Sequence, residues 1–250
     1  MAHLYDPSSL DGETLDALLY DRLNPWGIAD VFYFDLVMES LSVLDVGCGT
    51  GTILRRARAE GHGGRFAGID PDAAMLDQAR ETDIAEWRLG TAADADWKAE
   101  FAFAFMSGNA FQCLLDDATI LESLRAVRRA LTDGGHFAFD TRNPAVAEWR
   151  SWNPDHPYET VDPLGATIRI HHEASEPDAN GLVALSSVFQ GPHWDKPLVA
   201  SCQLRFIEPD ALDALLESAG FAVAERFGRF DRSPFDSSAS PSIITVARAV

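Results

Sequence analysis

The sequence contains few cysteines and no long apolar segment. Its three cysteines, Cys48, Cys113 and Cys202, are odd in number and far apart, which argues against a disulfide framework and a clustered zinc site. No window of about 20 uninterrupted apolar residues is present, so no membrane-spanning helix is expected. Residues 1–11 carry acidic side chains where a signal peptide would carry basic ones. We therefore expect a cytoplasmic protein with no metal and no membrane partner.

Basic residues are also scarce. The chain has 20 Lys and Arg against 39 Asp and Glu, which gives a formal net charge of -19. Because such a surface repels phosphate backbones, nucleic acid is not expected as a partner. Hydrophobic residues make up 46% of the sequence and charged residues 24%, as in ordinary globular proteins. A chain of 250 residues is expected to form one domain with an insertion rather than two domains.

Short apolar runs alternate with helical patterns over much of the chain. Helical spacing marks residues 10–23 and 28–40, and strand and helix patterns alternate from Val43 onward. Such alternation is typical of βαβ units and of a parallel sheet. We therefore predict a Rossmann-like, doubly wound α/β fold with a mostly parallel seven-stranded sheet. Its strands are predicted at residues 43–46, 65–69, 86–89, 101–106, 136–140, 222–227 and 243–248.

A second pattern interrupts the alternation after the fifth predicted strand. Residues 144–163 are irregular and contain several prolines. Three stretches of strand character follow, with turn sequences between them: 166–172, 182–190 and 198–207. We predict that they form a small antiparallel β insertion. The single predicted domain, 1–250, then consists of a helical cover at 1–40, an α/β core at 41–143 and 206–250, and the insertion at 144–205.

A glycine-rich loop follows the first strand of the alternation. Gly47, Gly49 and Gly51 stand at alternate positions directly after Val46, which lets the backbone turn tightly and approach a ligand closely. The dinucleotide-binding fingerprint needs a third glycine where this sequence has Thr52, and the lysine of a P-loop is absent. The loop therefore predicts a ligand site of neither type.

Two acidic residues narrow the choice of ligand. Asp45 precedes the glycines, and its carboxylate would repel a pyrophosphate and favour a positively charged ligand. Asp70 follows the second strand about 20 residues beyond the glycines, the distance at which a carboxylate meets ribose hydroxyls in such folds. S-adenosylmethionine carries an ammonium, a sulfonium and a ribose, and it satisfies both conditions.

Residues 43–51 resemble the first motif of class I S-adenosylmethionine-dependent methyltransferases, and residues 68–72 resemble the second-strand motif of that family. The resemblance is to members that act on small molecules. It implies S-adenosylmethionine as cofactor and S-adenosylhomocysteine as product. The cofactor-binding residues assigned on this basis are Tyr20, Asp45, Gly47, Cys48, Gly49, Gly51, Asp70, Pro71, Met75, Thr91, Ala92, Ala93, Met106, Ser107, Asn109 and Phe111.

The acceptor side of the site is predicted from the ends of the fourth and fifth strands and from aromatic residues of the insertion. Methyl transfer from a sulfonium depends mainly on positioning, and a general base matters when the acceptor is a hydroxyl or a protonated amine. His193 and Tyr20 are the catalytic candidates. We expect a small organic acceptor, methylated at nitrogen or oxygen, and a monomer or homodimer. The predicted acceptor-binding residues are Asn109, Gln112, Arg142, Trp149 and Trp194.

Two alternatives to methyl transfer remain open on the sequence. An enzyme of the same fold that catalyses a cyclisation or another non-methylating step would have the same cofactor loop. A non-catalytic protein that binds S-adenosylmethionine and acts through a partner would have it too. A dehydrogenase is disfavoured, because the glycine spacing does not fit a dinucleotide.

Overall fold

The computed structural model describes Pro7 and residues 10–250, and its strands form a seven-stranded and a four-stranded sheet. The chain forms two compact units. One consists of Met1–Pro25 and Ala147–Leu204, and the other of Trp26–Val146 and Arg205–Val250. Because α2, at Ile28–Met38, lies in the second unit, the predicted helical cover is divided between the two.

The seven-stranded sheet belongs to the second unit and has the strand order β10-β11-β5-β4-β1-β2-β3. Its strands are β1 (Ser42–Val46), β2 (Arg65–Asp70), β3 (Glu86–Leu89), β4 (Phe101–Met106), β5 (Leu131–Arg142), β10 (Phe221–Phe227) and β11 (Ser242–Ala249). The pairs from β3 through β5 are parallel, whereas β11 is antiparallel to both β5 and β10. The predicted fold class is confirmed.

Helices cover both faces of this sheet: α2, α3 (Thr52–Ala59), α4 (Ala73–Ala79), α5 (Asp117–Ala130) and α6 (Pro209–Ser218). Leu44 and Val46 of β1 belong to a core that includes residues of α5 and α6. Val43, which points to the other face, belongs to a core with residues of α2 and α3. Parallel strands buried on both faces end at the same edge of the sheet, so the loops that follow β1, β2 and β4 converge there.

The four-stranded sheet is covered on one face by α1 (Gly12–Leu23), whose Leu15 and Leu19 form a core with Ile168, Ile170 and Phe189. Arg22 Nη1 at the end of the helix donates to the carbonyl oxygen of Val161 at 3.0 Å. The strands lie in the order β6 (Tyr158–Val161), β7 (Thr167–Ala174), β8 (Leu182–Gln190) and β9 (Leu198–Arg205), with β7 antiparallel to β6 and β8.

The strand β6 lies in the region that the sequence predicts as irregular. Its residues, Tyr158 to Val161, are mostly exposed and lack an apolar alternation. The segment is a strand because it forms hydrogen bonds with β7. The hydropathy pattern of the segment itself does not indicate this pairing. In the part of the chain that the structure describes, no helix has both the length and the apolar character needed to cross a membrane.

Candidate active site

The glycine-rich loop joins β1 to α3 and is attached to the end of β2. Gly47, Gly49 and Gly51 have φ angles of 71°, 51° and 73°, in the left-handed region that favours glycine. The amides of Gly47 and Cys48 donate to the carbonyl oxygen of Ile69 at 2.8 and 3.2 Å. The loop therefore exposes backbone rather than side chains at the sheet edge.

Asp70 connects the glycine-rich loop to the loop after β2. Its Oδ2 accepts from the amide of Gly49 at 2.7 Å, and its Oδ1 accepts from the amide of Asp72 at 2.8 Å. Burial raises the pKa of Asp70, although these two hydrogen bonds oppose the rise. Since a carboxylate oxygen accepts more than one hydrogen bond, ribose hydroxyls can still donate to this group.

Asp45 is buried close to Asp70 and is only 3% exposed. Among the described residues, no group forms a hydrogen bond with its Oδ1. Burial, followed by repulsion from Asp70, raises the pKa of Asp45 well above its usual range. A buried acid without a partner at one oxygen is costly unless a ligand supplies a donor or a positive charge. The ammonium of S-adenosylmethionine fits this requirement.

Trp87 of β3 packs beneath the glycine-rich loop, a contact that the sequence analysis missed. A Cβ atom placed on Gly51 or Gly68 would lie 2.5 Å from the Trp87 ring. Trp87 also packs against a small core formed by Cys48, Leu76 and Ala79. The Cys48 side chain is therefore packed into this cluster behind the loop.

The loop after β4 contacts the glycine-rich loop. Gly108 and Asn109 are both left-handed, with φ angles of 67° and 60°, and the amide of Ala110 donates to the carbonyl oxygen of Ser107 at 3.2 Å. A Cβ atom on Gly47 would lie 3.2 Å from Cβ of Ala110. The structure thus brings the predicted residues Ser107 and Asn109 to the same edge as Gly47.

Residues on either side of this turn are buried in the core. Met106 and Phe111 are both buried, and the Phe111 ring stacks on Phe139 at a centroid distance of 4.3 Å. Gln112 is 1% exposed; its Nε2 donates to the carbonyl oxygen of Arg205 at 3.0 Å, and its Oε1 accepts from Arg142 Nη1 at 2.9 Å. The Gln112 side chain is therefore buried, and it orients the side chain of Arg142.

The predicted residues after β2 and β3 lie in short, capped turns. Pro71 is exposed, and the amide of Met75 donates to Oδ1 of Asp72 at 3.2 Å, at the start of α4. Thr91 donates through its amide and its hydroxyl to Oδ2 of Asp94, at 2.8 and 2.7 Å. These bonds hold the helical turn Ala92–Asp94, which contains the predicted cofactor-binding residues Ala92 and Ala93.

Four predicted residues, Tyr20, Trp149, His193 and Trp194, lie in the unit with the four-stranded sheet. Trp149 Nε1 donates to Glu176 Oε2 at 3.1 Å, and Trp194 Nε1 donates to the carbonyl oxygen of Pro7 at 2.7 Å. Tyr20 lies on α1 and is half-buried. His193 Nε2 lies 3.0 Å from Oδ2 of Asp162, whose side chain is buried.

The family comparison agrees with the geometry of the sheet edge. Residues 43–135 match the sequence model of a family described as a methyltransferase domain. This part of the chain is therefore similar to a methyltransferase domain. The match begins at β1 and contains the glycine-rich loop, Asp70 and the loop after β4. The match agrees with the predicted enzyme class, and structures of similar fold with bound S-adenosylmethionine or S-adenosylhomocysteine agree with the predicted cofactor.

Solved structures similar to this chain cover nearly its whole length. CcbJ methyltransferase from Streptomyces caelestis is 21% identical, with a TM-score of 0.75, over 95% of this chain and 98% of its own. The sugar N-methyltransferase KedS8 from a Streptoalloteichus species is 19% identical, with a TM-score of 0.73, over 100% and 97%. SAM-bound CalS10, an amino pentose methyltransferase from Micromonospora echinaspora, is 17% identical, with a TM-score of 0.69, over 100% of both.

These similarities show the fold. No curated protein matches the sequence of this chain. In the described part of the chain, no group of three or more His, Cys, Asp or Glu side chains is arranged to hold a metal ion.

Proposed function

We propose that this methyltransferase transfers the methyl group of S-adenosylmethionine to a nitrogen or oxygen atom of a small organic acceptor. The observation that carries the proposal is the buried carboxylate of Asp45, with one oxygen unpartnered among the described residues, beside three left-handed glycines. This combination suits a cofactor that presents a positive charge to a closely approaching backbone.

A small acceptor is supported by the charge and by the neighbours. The net charge of -19 opposes binding of nucleic acid. KedS8 is a sugar N-methyltransferase and CalS10 an amino pentose methyltransferase, so aminated and hydroxylated sugars are the first acceptors to test.

The proposed division of roles follows the two loops. S-adenosylmethionine supplies an activated methyl group when bound. Asp45 accepts from its ammonium, Asp70 accepts from its ribose hydroxyls, and the backbone at Gly47 and Gly49 lies against its methionine part. The remaining predicted cofactor and acceptor contacts stay part of this proposal.

Calorimetry with S-adenosylmethionine and S-adenosylhomocysteine tests the cofactor site. We expect the wild type to bind both ligands and to bind no NAD. Asp45→Asn removes the negative charge, so we expect binding of S-adenosylmethionine weaker by about tenfold or more, because hydrogen bonds to charged groups contribute about 1.5–3 kcal/mol. Asp77→Asn, at an exposed aspartate of α4, is the matched control and should bind as the wild type does. Absence of binding to both ligands would overturn the proposal.

An acceptor screen tests the reaction. The wild type is incubated with S-adenosylmethionine and with free and nucleotide-linked sugars that carry amino or hydroxyl groups, and the products are weighed by mass spectrometry. A product heavier by one methyl group is expected. A product without an added methyl group would favour the non-methylating alternative and contradict this proposal.

His193 is proposed as the general base, with Tyr20 as the second candidate. The buried Asp162 carboxylate fixes one ring nitrogen of His193, which leaves the other to accept a proton. We expect His193→Gln to lower kcat while the KM for S-adenosylmethionine stays unchanged. His156→Gln, at an exposed histidine of the same unit, is the control. Equal kcat values for the wild type and His193→Gln would remove His193 from this role.

A further inference from the structure

A buried hydrogen-bond chain connects α2 to the loop after β4. The hydroxyl of Tyr33, on α2, donates to Oδ1 of Asp140 at 2.5 Å. The backbone amide of Asn109 donates to Oδ2 of the same carboxylate at 3.0 Å. Tyr33 and Asp140 are 0% and 1% exposed. Asp140 thus links the side chain of Tyr33 to the backbone of Asn109, which precedes Asp140 by 31 positions in the sequence.

Packing alone does not account for these polar groups. The Tyr33 ring stacks on Phe105 at a centroid distance of 5.6 Å and meets Phe32 edge-on at 5.3 Å, contacts that a phenylalanine would also make. Burial raises the pKa of Asp140 to about 6, although the hydrogen bonds from Tyr33 and Asn109 oppose the rise. Burying a carboxyl group among aromatic side chains costs free energy. Its presence there indicates a role other than filling space.

The conformation of the loop after β4 indicates what the Asp140 carboxylate does. Asn109 is not glycine, yet it has a φ of 60°, directly after Gly108 with a φ of 67°. Residues other than glycine are uncommon in this region and persist where surrounding contacts hold them. The next residue, Ala110, makes the close approach to Gly47. The bond from Asn109 to Asp140 therefore holds the loop in the conformation that meets the glycine-rich loop.

We propose that Tyr33 and Asp140 are positioning residues, which hold residues 107–109 in the conformation that binds the cofactor. The proposal rests on the proposed function, which includes the cofactor contacts predicted from the sequence for Ser107 and Asn109. Tyr33 and Asp140 act through the backbone of Asn109. The hydroxyl of Tyr33 fixes the carboxylate, and the carboxylate fixes the loop.

The first test compares Tyr33→Phe with the wild type. We expect the Kd for S-adenosylmethionine to rise about 3- to 30-fold, the range typical of residues that modulate a site without touching the ligand. The Asn109 amide should exchange its hydrogen faster, while the amides of β1 keep their protection. The control is Tyr158→Phe, which removes a hydroxyl 3.2 Å from His172 in the other compact unit. Tyr158→Phe should change neither the Kd for S-adenosylmethionine nor the exchange rate of the Asn109 amide.

Asp140→Asn is the second variant. An asparagine has one acceptor oxygen, so its amide group would face one of the two donors, and the same loss is expected. Either variant overturns the proposal if it folds and binds S-adenosylmethionine as tightly as the wild type. A lower Tm together with unchanged binding would indicate a role in stability alone and would also overturn it.

A measurement on the wild type covers the case in which neither variant folds. The Asn109 amide should exchange as slowly as amides of β4, and exchange as fast as that of an exposed amide would overturn the proposal. The two proposals also fail separately. A wild type that binds no S-adenosylmethionine refutes the proposed function. Unchanged binding in a folded Tyr33→Phe variant refutes only the positioning role.

Discussion

Asp140 should make the free energy of unfolding fall as the pH rises, and Asp140→Asn isolates this effect. Burial is the largest cause of the raised pKa of Asp140. Hydrogen bonds from Tyr33 and Asn109 and the charge of Arg142 oppose the rise, and the charge of Asp30 adds to it. The carboxyl group therefore binds its proton more tightly in the folded protein than in the unfolded chain.

The sign and size follow from the two pKa values. The pKa is about 6 in the folded protein against an ordinary value of 3.8. The stabilisation by this group is fully present below the lower value and is lost as the pH rises through about 6. At about 1.4 kcal/mol for each pKa unit, the whole loss is about 3 kcal/mol, of which roughly 1 to 2 kcal/mol falls between about pH 5 and pH 8.

Urea unfolding of the wild type and of Asp140→Asn, from about pH 5 to pH 8, measures this difference. Asp45 and Asp70 also have raised pKa values, but they titrate in both proteins and cancel in the comparison. Relative to the wild type, we expect the variant to gain roughly 1 to 2 kcal/mol over this interval. For the control, Asp77→Asn, the difference in free energy of unfolding from the wild type should stay constant over this pH interval. A constant difference for Asp140→Asn as well, or one of the opposite sign, would refute the reasoning.

Two glycine substitutions give further predictions, with Gly63→Ala as their common control, because a Cβ on Gly63 meets nothing within 4 Å. Gly51→Ala combines a φ of 73° with a Cβ 2.5 Å from the Trp87 ring, so we expect a loss of about 1–3 kcal/mol and weaker binding of S-adenosylmethionine in calorimetry. Gly12→Ala places a Cβ 2.2 Å from the carbonyl carbon of Val199, which is backbone and cannot move aside. We expect a loss of about 2 kcal/mol or more in urea unfolding; stability equal to that of the control would contradict either prediction.

Much of the site could be predicted because its signals are local. Three glycines at alternate positions after an apolar run predict a tight turn, and all three have positive φ angles in the structure. Asp70 follows the same logic, because parallel strands place the residues after β1 and β2 at one edge. Its carboxylate lies 2.7 Å from the amide of Gly49, 21 positions earlier in the chain.

Contacts that depend on strand pairing could not be predicted. Trp87 lies beneath the glycine-rich loop because β2 and β3 pair with Gly68 opposite Trp87. A shift of one residue would turn its ring to the other face of the sheet. The short strand β3 carries no local signal of that register. For the same reason β6, which is mostly exposed, was predicted as irregular chain.

The sequence by itself determined the order of the strands in the seven-stranded sheet along the chain, the glycine-rich turn and the two acids beside it. These depend on backbone preferences and on spacing along the chain. Tertiary structure alone decided that Tyr33 meets Asp140 across 107 positions and that Asp140 meets the amide of Asn109. The physical reason is that a buried carboxylate takes its partners from whichever elements pack around it, and that packing is settled only when α2, β4 and β5 come together.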